Sequence, residues 1–147
     1  MSHKIVILLF SLFLGMLQAK PSTVASDDLS WPQWRGPTRD GYVEKGSPWP
    51  NGISKEKLRL SWRKELGKGY PGPVLSEKLV FTVESKGKNE IVRAFDKASG
   101  EQKWETSWPG SMSVPFFAWK NGSWVRSTPA YDGKNLYVAG MRDFLFC

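Results

Sequence analysis

Histidine and cysteine are almost absent from this 147-residue sequence, which contains one of each. His3 lies in an N-terminal segment that we expect to be removed, so the mature chain would have no imidazole. Histidine general bases, Ser–His–Asp triads and histidine-bound metals are therefore excluded within this stretch. Cys147 has no second cysteine for an internal disulfide, and it ends the apolar run 144–147. We interpret it as a buried strand position rather than as a nucleophile.

Long hydrophobic runs are confined to the N-terminus, and no later segment shows convincing helical periodicity. Lys4 precedes the apolar stretch Ile5–Leu17, and the small residues Ala19 and Ala25 offer two cleavage sites. This pattern predicts a signal peptide over residues 1–25 and a chain exported to the periplasm or the extracellular space. An uncleaved N-terminal anchor is the alternative, although the run is shorter than the ~20 residues that span a bilayer. No transmembrane segment is predicted after cleavage.

Acidic residues are the minority charge, with 14 Asp and Glu against 21 Lys and Arg, and the basic residues are spread along the chain. In the densest basic run, Lys55–Lys68, the apolar residues Leu58, Leu60 and Trp62 alternate with polar ones. Such alternation predicts a strand over Leu58–Leu66 with one solvated face. A nucleic-acid site would need basic residues on one face together with stacking aromatic residues, so we expect no nucleic-acid partner.

Residues 26–57 are rich in tryptophan, proline and glycine, most of all in the run 31–37 (Trp-Pro-Gln-Trp-Arg-Gly-Pro). Because proline and glycine interrupt helices and central strands, we predict an irregular lead-in. Three tryptophans would pin this lead-in to a folded body by burying their large surfaces. They are Trp31, Trp34 and Trp49. An aromatic ligand cage built from Trp31, Trp34 and Arg35 is the functional alternative.

The middle of the chain has the pattern of an antiparallel meander. Short apolar runs are separated by turn residues, and residues 91–95 are largely apolar on both alternating faces, as in a strand covered on both sides. These features predict an all-β fold. The predicted strands are Pro73–Leu75, Leu79–Glu84, Ile91–Asp96 and Glu101–Trp108.

Four residues define a motif around the last turn of this meander: Ala94, Asp96, Gly100 and Trp104. Asp96 can fold its carboxylate onto N–H groups of the turn, and Gly100 can adopt the positive φ that closes it. Trp104 offers a large flat surface on which a neighbouring element can pack. We therefore assign Asp96 to the turn rather than to catalysis. The spacing resembles the Ala-x-Asp-x-x-(Thr/Ser)-Gly-x-x-x-Trp signature of the quinoprotein-type, or PQQ-like, β-propeller repeat (PQQ is pyrroloquinoline quinone).

A second, partial copy of this unit follows at an offset of 56 residues. Pro73–Val83 matches Pro129–Ala139, and residues 144–147 then take the place of residues 91–94. Since a four-stranded blade takes ~40–50 residues, the offset implies an insertion, which we place at Pro109–Val125. Its segment 120–123 predicts a hairpin turn, which also accounts for the residues of a glycosylation sequon there.

The resemblance implies a β-propeller of four-stranded antiparallel blades that begins near residue 58. Because propellers have ~4–8 blades, residues 58–147 would hold about one and a half of them and would be incomplete at the C-terminus. We therefore expect the chain to be the N-terminal fragment of a longer protein. An unrelated secreted β-sandwich would have similar short strands, but it does not account for the motif.

Families with this repeat include PQQ-dependent alcohol and sugar dehydrogenases, and also non-enzymatic propellers such as the lipoprotein of outer-membrane β-barrel assembly. The dehydrogenases hold PQQ and Ca²⁺ at the propeller centre and usually have a vicinal cysteine pair, which this sequence lacks. Its carboxylates are scattered through turns rather than clustered. We therefore expect a non-catalytic binding or scaffolding module with a protein or cell-envelope partner, no cofactor, no catalytic residue and no metal ligand. The alternative is a PQQ-dependent dehydrogenase, whose cofactor-binding residues are unknown.

Overall fold

The computed structural model describes residues 30–43, 52–110 and 112–147, so the predicted signal peptide and Trp49 lie outside the described residues. Within these ranges the fold is all-β, as predicted, with two antiparallel sheets and one short 3-10 helix at Phe116–Asn121. No helix in the same ranges has the length and apolar character that crossing a membrane requires.

The first sheet is a four-stranded meander in chain order, and the second is a three-stranded meander. The strands predicted for the first sheet are confirmed, with ends that differ by at most about two residues, as is usual for sequence-based boundaries. The first sheet contains β1 (Val74–Leu75), β2 (Leu79–Lys86), β3 (Asn89–Asp96) and β4 (Gln102–Pro109). The second contains β5 (Ala130–Tyr131), β6 (Leu136–Ala139) and β7 (Leu145–Phe146).

Strand β3 is covered on both faces, as its sequence predicts. On one face, Val92 of β3 pairs with Val83 of β2, and both join Val138 of β6 in one buried apolar cluster. On the other face, the ring of Phe95 contacts that of Trp62, with centroids 6.2 Å apart. The second sheet therefore packs on one side of the first, and the chain segment before β1 packs on the other.

The strand predicted over residues 58–66 is not formed. This segment is irregular, and Leu58 and Leu60 are 62% and 73% exposed. Its backbone enters the sheet only after residue 66, where Lys68 and Ser85 exchange hydrogen bonds of 3.0 and 2.6 Å. The segment crosses a face of the first sheet, where the backbone groups are already paired with neighbouring strands. Alternating hydrophobicity shows which side chains share a face, but a strand also needs an open sheet edge.

The repeat predicted from the sequence is present in the strand pairing. Val74 of β1 pairs with Phe81 of β2, and Ala130 of β5 pairs with Tyr137 of β6, so both partners move by the same 56 positions. Strand β7 then pairs with β6 in the place that β3 occupies beside β2. The weak sequence match therefore corresponds to the same backbone register in the two sheets.

The hairpin predicted at residues 120–123 is wrong. Lys120 and Asn121 belong to the 3-10 helix, which ends at Gly122 with a φ of 64°. The amide of Gly122 donates a hydrogen bond of 3.0 Å to the carbonyl of Trp119, so this glycine closes the helix. An Asn-Gly pair suits both structures, because a positive φ is needed at a helix C-terminus as well as in a tight hairpin.

The predicted burial of Cys147 is also wrong, since the residue is exposed and lies one position after β7. Phe144 and Leu145 are likewise 55% and 72% exposed. Only Phe146 of this run turns inward, where its ring stacks on Trp108 with centroids 4.0 Å apart. In the described part of the chain, β7 pairs with β6 alone, so its outer side is open to solvent.

The antiparallel order places the connections at the two opposite ends of the strands in the first sheet. The β1–β2 and β3–β4 turns leave from one end, which we call the motif edge. The β2–β3 turn and the long connection from β4 to β5 leave from the other, which we call the loop edge. The two edges therefore bring together different parts of the sequence.

Candidate functional site

The motif residue Asp96 lies at the motif edge, where its carboxylate closes the β3–β4 turn. The amides of Ala98 and Ser99 donate to Asp96 Oδ1 over 3.1 and 2.8 Å, and the Ser99 hydroxyl donates over 3.0 Å. These bonds, led by the one from the Ser99 amide, lower the pKa of the Asp96 carboxyl. Gly100 has a φ of 73° and donates its amide to the Asp96 carbonyl over 2.8 Å. The Asp96 carboxylate is thus engaged within the turn itself.

The other two motif residues, Ala94 and Trp104, face each other across β3 and β4. Ala94 is fully buried, whereas Trp104 is 39% exposed. The Trp104 ring contacts Phe81 with centroids 5.9 Å apart, and it lines a groove between the two sheets together with Leu136 of β6. The described residues therefore cover only part of the packing surface that we expect of Trp104.

The β1–β2 and β5–β6 turns use the same hydrogen-bond pattern with different side chains. In the first sheet, Ser76 Oγ accepts a hydrogen bond of 2.9 Å from the amide of Leu79. In the second, Asp132 Oδ1 accepts one of 2.7 Å from the amide of Asn135. Asp132 thus replaces a hydroxyl with a carboxylate at the equivalent position of the repeat, and this turn becomes sensitive to acid.

We expect the Asp132 carboxyl to titrate with a pKa of about 2, below its ordinary value of 3.8. Hydrogen bonds from the Asn135 and Lys134 amides lower this pKa most, followed by the bond from the Tyr137 hydroxyl. Because the folded-state pKa is the lower one, its stabilisation is present above pH 3.8 and is lost as the pH falls through about 2. Acidification across that range should lower the unfolding midpoint less in Asp132→Asn than in the parent protein. NMR titration gives the pKa directly, and equal acid sensitivity of the two proteins would contradict this assignment.

A charged network lies on the face of the first sheet that the segment before β1 covers. The Glu84 side chain is 2% exposed, and its Oε1 lies 2.9 Å from Arg93 Nη1. Its Oε2 accepts a hydrogen bond of 2.7 Å from the amide of Gly67 in the covering segment. Arg93 Nε also lies 2.7 Å from Glu105 Oε2. Each charge in this network has an opposite partner, which suits a structural role, because an unpaired buried charge would be costly.

Glu90 is 1% exposed and joins the two sheets. Its Oε2 accepts a hydrogen bond of 2.7 Å from Trp108 Nε1 in β4, and its Oε1 accepts one of 2.9 Å from the amide of Met141 after β6. Two glycines make room for this carboxylate. A Cβ at Gly140 would lie 2.6 Å from Glu90 Oε2, and one at Gly110 would collide with the Glu90 side chain.

Within residues 30–43, 52–110 and 112–147, no group of three or more His, Cys, Asp or Glu side chains is placed to hold a metal ion. The buried carboxylates are bound instead to backbone amides, to Trp108 and to Arg93. A Ca²⁺ site takes six to eight oxygen ligands. In the described part of the chain, these carboxylates are therefore not grouped as the ligands of a Ca²⁺ site are.

The alternative aromatic cage in the lead-in is not assembled by Trp31, Trp34 and Arg35. Trp31 is half-buried and exchanges two backbone hydrogen bonds of 2.9 Å with Leu75. Trp34 is 65% exposed, with the Arg35 guanidinium 5.5 Å from its ring centroid. The backbone of Trp31 therefore ties the lead-in to β1, whereas the prediction that the Trp34 side chain is buried against the folded body is wrong.

A pocket of about 340 Å³ opens at the loop edge, beside the β2–β3 turn. Trp124 forms its aromatic wall, and the Lys68 ammonium lies 5.0 Å from the centroid of that ring. Gly122 lies directly against the same ring, since a Cβ there would be 2.5 Å from it. The Tyr70 ring contacts Trp124 with centroids 6.0 Å apart. The pocket therefore has a wall whose position is fixed by several neighbours.

The pocket is basic and polar. Lys68 and Lys86 both line it, and no acidic residue does. This site was not predicted from the sequence, because Lys68 was treated only as the end of the basic run Lys55–Lys68 and Trp124 was attributed no role. The only signal for it was the number of aromatic residues in the insertion. The remaining lining residues are small or polar: Gly67, Ser85, Gly87, Asn89 and Ser123.

Comparisons with known proteins reveal no relative of this chain. No protein-family model, no curated protein and no solved structure matches the chain.

Proposed function

We propose that this chain forms the first part of an exported PQQ-like β-propeller that binds or scaffolds a partner without catalysing a reaction. The repeat carries the proposal, because two strand–turn–strand units recur at an offset of 56 residues with the same register. Repeat units bury their faces against their neighbours. Further blades would cover the exposed parts of Trp104 and Leu145.

The hydrogen bonds and ion pair of the carboxylates support binding rather than catalysis. Asp96 and Asp132 accept hydrogen bonds from their own turns, and Glu90 joins the two sheets. Glu84 is paired with Arg93. A general acid or base needs a proton-transfer partner in a cleft, and these carboxylates are held instead by structural donors.

A protein or cell-envelope partner is supported by aromatic side chains that the insertion exposes. Phe116, Phe117 and Trp119 of the 3-10 helix are 85%, 77% and 67% exposed. Grouped exposed apolar side chains are typical of surfaces that contact another molecule. These residues and the basic pocket both belong to the loop edge, so we place the binding surface there.

The proposal is tested on the full-length protein, recovered from the exported fraction with a mature N-terminus near Lys20 or Ser26. We expect no oxidation of alcohols or aldoses after reconstitution with PQQ and Ca²⁺, measured with an artificial electron acceptor. Heat-denatured protein with the same additions gives the background rate. A saturable activity that disappears when PQQ is omitted would overturn the proposal in favour of a quinoprotein dehydrogenase.

A further inference from the structure

The loop-edge pocket has a positive charge and an aromatic wall that the propeller framework does not require. We propose that it binds a saccharide that carries an anionic group, a carboxylate or a sulfate. This inference rests on the proposed binding role and names the chemical class of its ligand.

The positive charge of the pocket favours an anionic ligand. The ammonium groups of Lys68 and Lys86 contribute two positive charges to its lining, and no carboxylate lies in the lining to neutralise them. The buried carboxylate of Glu84 is already paired with Arg93 and with the Gly67 amide. Two ammonium groups can therefore form charge-assisted hydrogen bonds to a ligand carboxylate or sulfate.

The aromatic wall favours a ligand that has an apolar surface as well as a charge. A pyranose ring has an apolar C–H face and a rim of hydroxyls, so it fits a site with one aromatic surface and several small polar groups. Trp124 supplies the aromatic surface, and Asn89 and Ser123 supply hydrogen-bonding groups for the rim. The volume of about 340 Å³ is in the range of small-molecule sites, larger than a bare sulfate or phosphate needs.

The wall is held in place before any ligand binds. The Val125 amide, next to Trp124, donates a hydrogen bond of 2.9 Å to Ser85 Oγ in β2. The Val125 carbonyl accepts one of 3.0 Å from the Tyr70 amide. The Tyr70 hydroxyl in turn donates to the Asn121 carbonyl over 2.9 Å. Because these bonds tie the insertion to the sheet, a ligand meets a preformed site and less binding energy is spent on ordering it.

Calorimetric titration of the full-length protein tests the inference with three probes. A chondroitin 4-sulfate tetrasaccharide carries both carboxylates and sulfates, cellotetraose has the same length without charge, and sodium sulfate has the charge without a sugar. We expect saturable binding of the charged tetrasaccharide, at least about tenfold tighter than either of the others, and weaker binding at higher salt.

Two exposed lysines of the β2–β3 hairpin provide a matched pair of variants. Lys86 lines the pocket, whereas Lys88 does not. Lys86→Gln should weaken binding of the charged tetrasaccharide by about tenfold, since a charge-assisted hydrogen bond is lost, and Lys88→Gln should leave it unchanged. Thermal melts that match the parent protein show that both variants are folded.

Several outcomes would overturn the inference. They are no binding of the charged tetrasaccharide, sulfate binding as tightly as the tetrasaccharide, or equal losses in the two lysine variants. None of them depends on PQQ. A protein that binds no saccharide and also fails to oxidise alcohols and aldoses therefore refutes this ligand while leaving the proposed binding role intact.

Discussion

Replacing Glu90 with alanine should lower the free energy of unfolding by about 3–5 kcal/mol. The carboxylate is 1% exposed and accepts hydrogen bonds from the Trp108 indole and the Met141 amide. Truncation leaves both donors buried without an acceptor, at roughly 1–3 kcal/mol each, and it opens a cavity beside them. A loss of this size is a large share of the 5–15 kcal/mol that typically stabilises a domain.

Chemical denaturation of the full-length protein measures this effect, with Glu101→Ala as the matched control. The Glu101 side chain is 67% exposed and pairs only with Lys103 among the described residues, so its truncation should change stability by less than about 0.5 kcal/mol. Glu90→Gln should fall between the two, because the amide keeps one acceptor oxygen. If the Glu90→Ala and Glu101→Ala proteins had the same free energy of unfolding, the Glu90 carboxylate would not hold the two sheets together.

Gly100→Val is the second substitution for which we expect a large loss, of about 2–5 kcal/mol. Gly100 has a φ of 73°, which β-branched residues strongly disfavour. A Cβ at this position would also lie 2.6 Å from the ring of Trp62. That ring cannot easily move away, because its Nε1 donates a hydrogen bond of 3.0 Å to the Lys97 carbonyl and it packs on Phe95.

Gly87→Val separates the two contributions to this loss. Gly87 has a φ of 61°, and nothing lies within 4 Å of a Cβ built there. Its substitution should therefore cost only the backbone strain, about 1–2 kcal/mol. Equal losses at Gly87 and Gly100 would show that the Trp62 contact contributes nothing. A double-mutant cycle provides a second test. In a Trp62→Ala background, Gly100→Val should lower the free energy of unfolding by less than it does in the parent protein, since residues in contact are not independent.

Local chemistry made much of the first sheet predictable. The turn at Asp96 and Gly100 forms because a carboxylate next to free backbone amides and a glycine with positive φ close the chain within a few residues. The strands on either side follow from apolar runs of the right length. The 56-residue offset was equally accessible, because Pro73–Val83 and Pro129–Ala139 share a pattern that depends on neighbours along the chain.

The candidate site was not predictable in the same way, because its parts come from three distant segments. Lys68 comes from the chain before β1, Lys86 from the end of β2, and Trp124 from the insertion. Nothing in the local sequence of any one segment indicates the other two. The same reason explains the error at residues 120–123, where an Asn-Gly pair suits a hairpin and a helix end equally well and packing around Trp124 decides between them.

The sequence by itself determined the all-β class, the strands of the first sheet, the motif turn and the register of the repeat, since these depend on side chains only a few residues apart. Tertiary structure alone decided that Glu84 and Glu90 are buried, that residues 58–66 cover a sheet face without pairing, and that Cys147 is exposed. Burial of a carboxylate depends on whether a distant donor, such as Arg93 or the Met141 amide, arrives to pair with it. Strand pairing likewise depends on whether a sheet edge is open where the segment lies.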